Sequence, residues 1–237
     1  MQARTALHEV IHRCQESRRQ GRRPVVVFDL DHTLFDNGPR TWQILIEFAE
    51  AHARVELRDR LERLGRTGLP YLLSETLALV DCHDPLLHEQ AFAFWRERFF
   101  TDEYQRYDLP LRGAVAFAQR SFEEGALLVY LSGRDAPGML VGCTASLRQH
   151  GFPVGVCRTT IVLKPDFETP DLSFKAAATE TIEELGEVVA SFDNEPGNCN
   201  LFRRRWPQAL TVFVKTQHAP EPPALDEGIP TMADFSR

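Results

Sequence analysis

Two aspartates, two residues apart, follow a short apolar run near the start of the sequence. The run Pro-Val-Val-Val-Phe at 24–28 is followed by Asp29, Asp31 and Thr33. Such a run is typical of a strand buried on both faces, and parallel α/β sheets bind ligands at the carboxyl ends of their strands. Two carboxylates this close repel each other unless a cation lies between them or one carries a proton. The spacing indicates a Mg²⁺ site, a general acid/base or a nucleophile that attacks phosphorus, although a plain turn also favours Asp.

The stretch Val-Phe-Asp-Leu-Asp-His-Thr-Leu at 27–34 resembles the first motif of the haloacid dehalogenase-like (HAD) superfamily. Most members of that superfamily are Mg²⁺-dependent phosphatases. The resemblance implies that Asp29 is the nucleophile, that Asp31 is the general acid/base and that Thr33 steadies the loop. It also argues against dehalogenation, because the dehalogenases of the superfamily lack an acid at the position of Asp31.

A second apolar run, at 126–131, ends in Ser132-Gly133-Arg134-Asp135. A small hydroxyl followed by glycine lets a phosphate oxygen approach the hydroxyl and the backbone N–H groups closely. A plain strand and turn is the alternative. The segment resembles the second HAD motif, which implies that Ser132 and Gly133 bind phosphate. Arg134 is expected either to contact the substrate or to pair with Asp135.

Two lysines are candidates for the third HAD motif. The chain holds 24 arginines and only three lysines, so a lysine marks a position that needs a compact ammonium group. Lys175 is favoured, because it begins a predicted helix that leads into the next strand. Lys164, in a Lys-Pro-Asp segment, is the alternative, or else an ordinary loop lysine.

A third apolar run, at 188–192, ends in Asp193-Asn194-Glu195. Two carboxylates with waters suffice for Mg²⁺. The segment resembles the fourth HAD motif, which implies that Mg²⁺ is held by the Asp29 carboxylate, the Asp31 carbonyl and the Asp193 carboxylate. Glu195 would take part through a water molecule.

The elements between these motifs predict a doubly wound, mainly parallel α/β sheet of about five strands, which is a Rossmann-like HAD core. Residues 37–107 show helical periodicity over four segments and are too many for a simple connection. By resemblance they form a C1-type helical cap, and residues 1–36 and 108–237 form the core domain. The Pro-rich segment 215–237 is expected to lack regular structure.

Composition limits the partners and the location. The net charge of −7 disfavours binding to nucleic acid or to an anionic membrane, and the sequence contains neither a transmembrane-length apolar run nor the apolar centre of a signal peptide. Five scattered cysteines without a Cys-x-x-Cys pair indicate neither a zinc site nor a disulfide framework. A cytoplasmic protein with reduced thiols is expected.

The four motifs together predict a Mg²⁺-dependent phosphatase that hydrolyses a small phosphomonoester through an aspartyl-phosphate. One alternative is a phosphotransferase that uses the same intermediate. Another is a regulatory protein that accepts a phosphoryl group on Asp29, or holds Mg²⁺, without turnover.

Overall fold

The computed structural model describes residues 3–236, in which a six-stranded parallel sheet forms the centre of an α/β fold. The strands in the described residues are β1 (Pro24–Phe28), β2 (Phe35–Asp36), β3 (Leu109–Pro110), β4 (Leu127–Asp135), β5 (Thr159–Lys164), β6 (Glu187–Asp193), β7 (Leu210–Val214) and β8 (Thr231–Met232). The sheet order is β5-β4-β1-β6-β7-β8, and each neighbouring pair is parallel. The predicted fold class is confirmed. Residues 1, 2 and 237 of the predicted core lie outside the described residues.

The helices surround this sheet and fill the interval between β2 and β3. They are α1 (Ala3–Arg19), α2 (Gly38–Ala51), α3 (Val55–Leu64), α4 (Leu73–Leu79), α5 (Pro85–Phe99), α6 (Ala114–Glu123), α7 (Ala136–Gln149), α8 (Asp171–Leu185) and α9 (Pro196–Arg205), with a 3₁₀ helix at Tyr104–Tyr107. Along residues 3–236, no helix combines the length and the apolar character needed to cross a membrane.

Strand β1 is apolar throughout because helices cover both of its faces. Val26 and Phe28 pack with apolar residues of α1, α6 and α7. Val25 and Val27, which point to the opposite face, pack with α8 and α9. The burial of alternate residues on opposite faces removes the whole strand from water and places Asp29 at the end of a rigid element.

Helices α2–α5 form the helical segment (residues 38–99), which has a hydrophobic core of its own. Leu45 and Phe48 of α2 pack there with Leu61 of α3, Leu77 of α4 and Ala91 of α5. The role of this segment as a cap, with domain boundaries at 37 and 107, stays a prediction.

The two short strands β2 and β3 pair antiparallel at the two ends of the helical segment. Their register joins Phe35 to Pro110 and Asp36 to Leu109. Helix α6 begins after this pairing, at Ala114. Before it, Gly113 has φ of +80° and lies so close to the C-terminal chain that a Cβ atom would be 2.3 Å from the Phe235 carbonyl oxygen, so glycine is required there.

The C-terminal segment is more ordered than its proline content predicts. Strand β8 adds to β7 as the sixth strand, with Val214 opposite Met232. Phe235 is 3% exposed, and its ring centroid lies 5.6 Å from that of Phe117 and 5.4 Å from that of Phe192. The expectation of irregular structure over 215–237 is therefore wrong for these residues, because apolar side chains spaced between the prolines are buried against the core.

Candidate active site

The predicted aspartates and serine lie at the ends of three adjacent strands, at the carboxyl edge of the sheet. Asp29 follows β1, Asp193 is the last residue of β6, and Ser132 lies near the end of β4. Strand β4 runs on to Asp135, and its register with β5 shifts between Ser132 and Asp135. Ser132 and Gly133 are thus part of an irregular strand end, where the sequence predicted a loop after the strand.

Lys175 lies between the two buried carboxylates. Its Nζ is 2.7 Å from Asp29 Oδ1 and 2.7 Å from Asp193 Oδ2. The first turns of α8 bring the ammonium to this position. Burial alone would lower the pKa of Lys175, but the Asp193 and Asp29 carboxylates raise it above its usual value. These three residues form the lysine cluster.

Lys164 has different partners. Its Nζ lies 2.9 Å from Asp171 Oδ1 and donates to the Phe167 carbonyl oxygen at 3.1 Å. The Lys164 side chain is 8% exposed, whereas that of Asp171 is 61% exposed. The lysine therefore ties the loop after β5 to the start of α8.

Asp29 carries the least compensated charge of the lysine cluster. Its Oδ2 is buried and has no hydrogen-bond partner among residues 3–236. Burial raises the pKa of Asp29 to about 7, against the opposing effect of Lys175 and with a further increase from Asp193. One ammonium thus faces two carboxylates, which leaves a negative excess and a free oxygen.

Asp193 is held in place by the loop that follows β6 and by the first turn of α9. The Glu195 backbone N–H donates to its Oδ1 at 2.8 Å, and Asn198 Nδ2 donates to Oδ1 and Oδ2 at 3.0 and 3.2 Å. The Glu195 carboxylate accepts from the Ala219 backbone N–H at 2.8 Å. The through-water contact of Glu195 with a metal stays a prediction.

Asp31 is bound by a guanidinium group. Arg134 Nε donates to Asp31 Oδ2 at 3.0 Å, and Arg134 Nη2 donates to Asp31 Oδ1 at 2.7 Å. Asn37 also donates to this carboxylate, and Ser132 Oγ donates to its Oδ2 at 3.4 Å. Burial opposes ionisation of Asp31, but Arg134 outweighs it and lowers the pKa below its usual range.

The ion pair between Arg134 and Asp135, one of the two contacts expected from the sequence, is not formed. The Asp135 carboxylate instead caps helix α7, where it accepts from the Gly138 backbone N–H at 2.9 Å. Asp at this position is a strong N-cap, and this bond directs the carboxylate toward the start of the helix. The partner of Arg134 is the more distant Asp31.

Further buried groups fix Arg134 from behind. Its Nη1 donates to Gln105 Oε1, and its Nη2 donates to Asp108 Oδ2 at 2.8 Å. Arg40 pairs with the same Asp108 carboxylate, where its Nε donates to Oδ1 at 2.8 Å, and its Nη2 lies 3.8 Å from Asp31 Oδ1. We call these five residues the arginine cluster. Its two guanidinium groups and two carboxylates balance in charge.

Sequence reasoning missed Arg40, Gln105 and Asp108. All three are fully buried, which is unusual for such polar side chains unless they are paired. No motif or periodicity marks them, because their partners lie tens of residues away along the chain.

Gly133 has a packing reason to be glycine. A Cβ atom there would lie 2.2 Å from Asp171 Oδ2, so a larger residue would displace the Asp171 side chain. Thr33 donates to Asn194 Oδ1 at 3.2 Å. This bond joins the loops after β1 and β6, in keeping with the expected steadying role of Thr33.

The donor set at the strand ends fits a hard divalent cation. The unpartnered Asp29 Oδ2 and the buried Asp193 carboxylate are the kind of oxygen ligands that Mg²⁺ prefers. Among the described residues, no group of three or more His, Cys, Asp or Glu side chains could hold a metal ion. The predicted set is compatible with this, because its third member is the Asp31 main-chain carbonyl.

Comparisons with known proteins identify solved structures with a similar fold. No protein-family model matches the sequence, and no curated protein matches it. The structure is similar to that of a protein from Clostridium difficile, provisionally named a phosphatase, with 12% identity and a TM-score of 0.54 over 82% of this chain and 86% of that one. It is also similar to a provisionally named haloacid dehalogenase-like hydrolase from Burkholderia xenovorans LB400, with 18% identity and a TM-score of 0.52 over 90% of this chain and 93% of that one. At these identities the likeness is one of fold, and the chain therefore has the fold of the haloacid dehalogenase-like superfamily.

Proposed function

We propose that the chain is a Mg²⁺-dependent phosphatase that hydrolyses a phosphomonoester of a small molecule through an aspartyl-phosphate on Asp29. The observation that carries the proposal is the state of Asp29: one carboxylate oxygen is bound to Lys175, and the other is buried without a partner among the described residues. An unpartnered carboxylate oxygen at a strand end, with a second aspartate two residues on, suits a nucleophile aimed at a ligand. The helical segment acts as the cap that encloses the ester.

In the first half-reaction an Asp29 oxygen attacks phosphorus and forms an acyl phosphate. The bond from phosphorus to the ester oxygen breaks, and that oxygen takes a proton from Asp31. A dianionic phosphoryl group beside Asp31 counteracts Arg134 and favours the protonated carboxyl that this step needs. Ser132, the Gly133 N–H and Lys175 hold the phosphoryl oxygens, where preorganised donors stabilise the charge of the transition state.

In the second half-reaction a water oxygen attacks the same phosphorus. The phosphorus–oxygen bond to Asp29 breaks, and Asp31 takes the proton from water. The products are inorganic phosphate and the original carboxylate. The Asp29 and Asp193 carboxylates and the Asp31 carbonyl would hold Mg²⁺, which when bound supplies Lewis-acid neutralisation of phosphoryl charge.

The test is turnover of 4-nitrophenyl phosphate with Mg²⁺, together with chemical trapping of phosphorylated Asp29. We expect Asp29→Asn to lower kcat by about a thousandfold or more, and excess EDTA to abolish turnover. Asp166→Asn, which changes an exposed loop aspartate, is the matched control and should retain wild-type activity. An Asp29→Asn variant with a tenth of wild-type turnover would exclude the aspartyl-phosphate.

The same assay distinguishes the two alternative functions. A regulatory protein would accept about one equivalent of phosphoryl group on Asp29 without further turnover. A phosphotransferase would pass the group to an added alcohol in preference to water.

A further inference from the structure

Arg134 is a buried charged group that binds Asp31 directly and to which the proposed steps assign no task. Its side chain is 1% exposed, whereas that of Asp31 keeps 32% exposure. The guanidinium therefore lies behind the carboxylate and leaves the open side of Asp31 free. A residue in that place is badly situated to touch the substrate and well situated to aim Asp31.

The geometry of the pair fixes the carboxylate in both position and rotation. Two nitrogens of Arg134 bind two different oxygens of Asp31, at 3.0 and 2.7 Å. A bidentate guanidinium–carboxylate pair restricts rotation of the carboxylate in a way that a single hydrogen bond does not. The Ser132 hydroxyl adds a weaker contact at 3.4 Å.

Arg134 is itself prevented from moving. Its Nη1 binds Gln105, and its Nη2, which also binds Asp31, binds Asp108. Asp108 is held in turn by Arg40 of helix α2. Gln105 is anchored by its amide nitrogen, which donates to the Met139 carbonyl oxygen at 2.8 Å. The direction of Asp31 is thus set by a chain of buried polar contacts that reaches α2 and the 3₁₀ helix.

We infer that Arg134 is a positioning residue that aims the Asp31 carboxylate as the general base of the second half-reaction, with Gln105 and Asp108 as its anchors. The inference depends on the proposed function, because it assigns a task within that reaction. In that step the water oxygen bonds to phosphorus, the water proton passes to Asp31, and the bond between phosphorus and Asp29 breaks. A base must be within hydrogen-bond reach of the proton that it takes, so a loosely held Asp31 would slow this step most.

The two half-reactions can be separated with 4-nitrophenyl phosphate. Its nitrophenolate leaves without help from an acid, so formation of the aspartyl-phosphate should not depend strongly on Asp31. The ratio kcat/KM reports that first half-reaction, whereas kcat includes hydrolysis of the intermediate. Loss of positioning should therefore appear in kcat and not in kcat/KM.

The experiment is stopped-flow and steady-state kinetics of Arg134→Gln with 4-nitrophenyl phosphate and Mg²⁺. We expect kcat to fall about a hundredfold, kcat/KM to stay within about threefold of wild type, and a nitrophenol burst approaching one equivalent of enzyme. Arg134→Lys, which keeps the charge and loses the bidentate contact, should give the same pattern to a smaller extent. Arg112→Gln, on a side chain that is 77% exposed, is the control and should match wild type.

Removal of a buried charge can prevent folding, so a milder variant is included. Gln105→Met retains both ion pairs of Arg134 and removes only an anchor, and it should lower kcat several-fold with kcat/KM unchanged. If kcat and kcat/KM fall equally in the folded variants, without a burst, the inference is wrong and the proposed function stands. If wild-type protein turns over no ester, the proposed function fails and the inference fails with it.

Discussion

The two ion clusters at the carboxyl edge of the sheet are built from similar groups but differ in charge balance. In the lysine cluster, one ammonium faces the Asp29 and Asp193 carboxylates, and one carboxylate oxygen has no partner among residues 3–236. In the arginine cluster, Arg134 and Arg40 face Asp31 and Asp108, and the two charges of each sign cancel.

Under the proposed function, the lysine cluster binds a ligand, whereas the arginine cluster supports the residues that do so. Buried charges are costly unless they are paired, so a negative excess persists only where it serves a further cation or a reaction. A balanced and hydrogen-bonded set already has its partners and acts by holding its members in place. The following predictions test this division.

The two clusters should respond in opposite ways to the loss of one negative charge. Asp108→Asn leaves two guanidinium groups with one carboxylate, and we expect it to lower the free energy of unfolding by about 3–5 kcal/mol. Asp193→Asn leaves the lysine cluster neutral, and without Mg²⁺ it should stay within about 1 kcal/mol of wild type or exceed it. Urea unfolding in EDTA at pH 7.5 measures both. Equal destabilisation by the two substitutions would contradict the comparison.

Loss of the lysine should remove activity. Lys175 bridges Asp29 and Asp193, so Lys175→Ala should lower kcat by about a hundredfold or more through loss of charge stabilisation in the transition state. Steady-state kinetics with 4-nitrophenyl phosphate measures the effect. A fall in activity that is confined to KM would remove Lys175 from the proposed catalytic group.

Mg²⁺ should stabilise the protein through the lysine cluster. At a concentration of 100 times its Kd the ion would add about 2.7 kcal/mol, observed as a rise in the melting temperature. Because burial raises the pKa of Asp29 to about 7, its contribution to stability is complete below the unfolded value of 3.8 and is lost as pH rises through 7. The Mg²⁺ effect should thus be larger at pH 7.5 than at pH 5.5.

The control for this measurement is Asp193→Asn, which should show a strongly reduced Mg²⁺ effect because one of the two carboxylate ligands is gone. A melting temperature of the wild type that does not change with Mg²⁺ at either pH would show that the negative excess does not serve this ion.

The smallest effect is expected for replacement of Lys164, the other lysine considered for the third motif. Lys164 pairs with Asp171, whose side chain is 61% exposed, and exposed pairs contribute about 0–1 kcal/mol. Lys164→Ala should therefore change kcat by less than about threefold, with any larger change confined to KM. A fall in kcat as large as that of Lys175→Ala would require the roles of the two lysines to be exchanged.

The parts of the site that the sequence predicts are those tied to strands. Apolar runs mark β1, β4 and β6, and the polar residues at their ends mark the sheet edge where Asp29, Ser132 and Asp193 meet. The choice of Lys175 over Lys164 followed from its place on the helix before β6, because a helix start in this fold points toward the same edge.

The arginine cluster leaves no such trace. The partner of Arg134 could be considered only among nearby residues or the substrate, whereas the structure pairs it with Asp31, over a hundred residues earlier. Arg40 and Asp108 are likewise paired across 68 positions. Side-chain pairing of this kind depends on how the elements pack, and neither periodicity nor composition encodes it. Strand β8 was missed for a related reason, since two residues among prolines carry no periodic signal.

The pairing of β2 with β3 has a consequence for how the chain can vary. Asp36 and Leu109 lie opposite each other, so the chain enters and leaves the intervening stretch at almost the same point. The backbone thus permits exchange of the intervening stretch for another of different length, as a recombination unit with adjacent ends. The sequence of an exchanged stretch is constrained at its ends, however, because Arg40 and Asp108 lie just inside them and support Asp31 through Arg134. A transplanted stretch would have to bring an equivalent pair, and the rim of the unit is therefore more constrained than its interior.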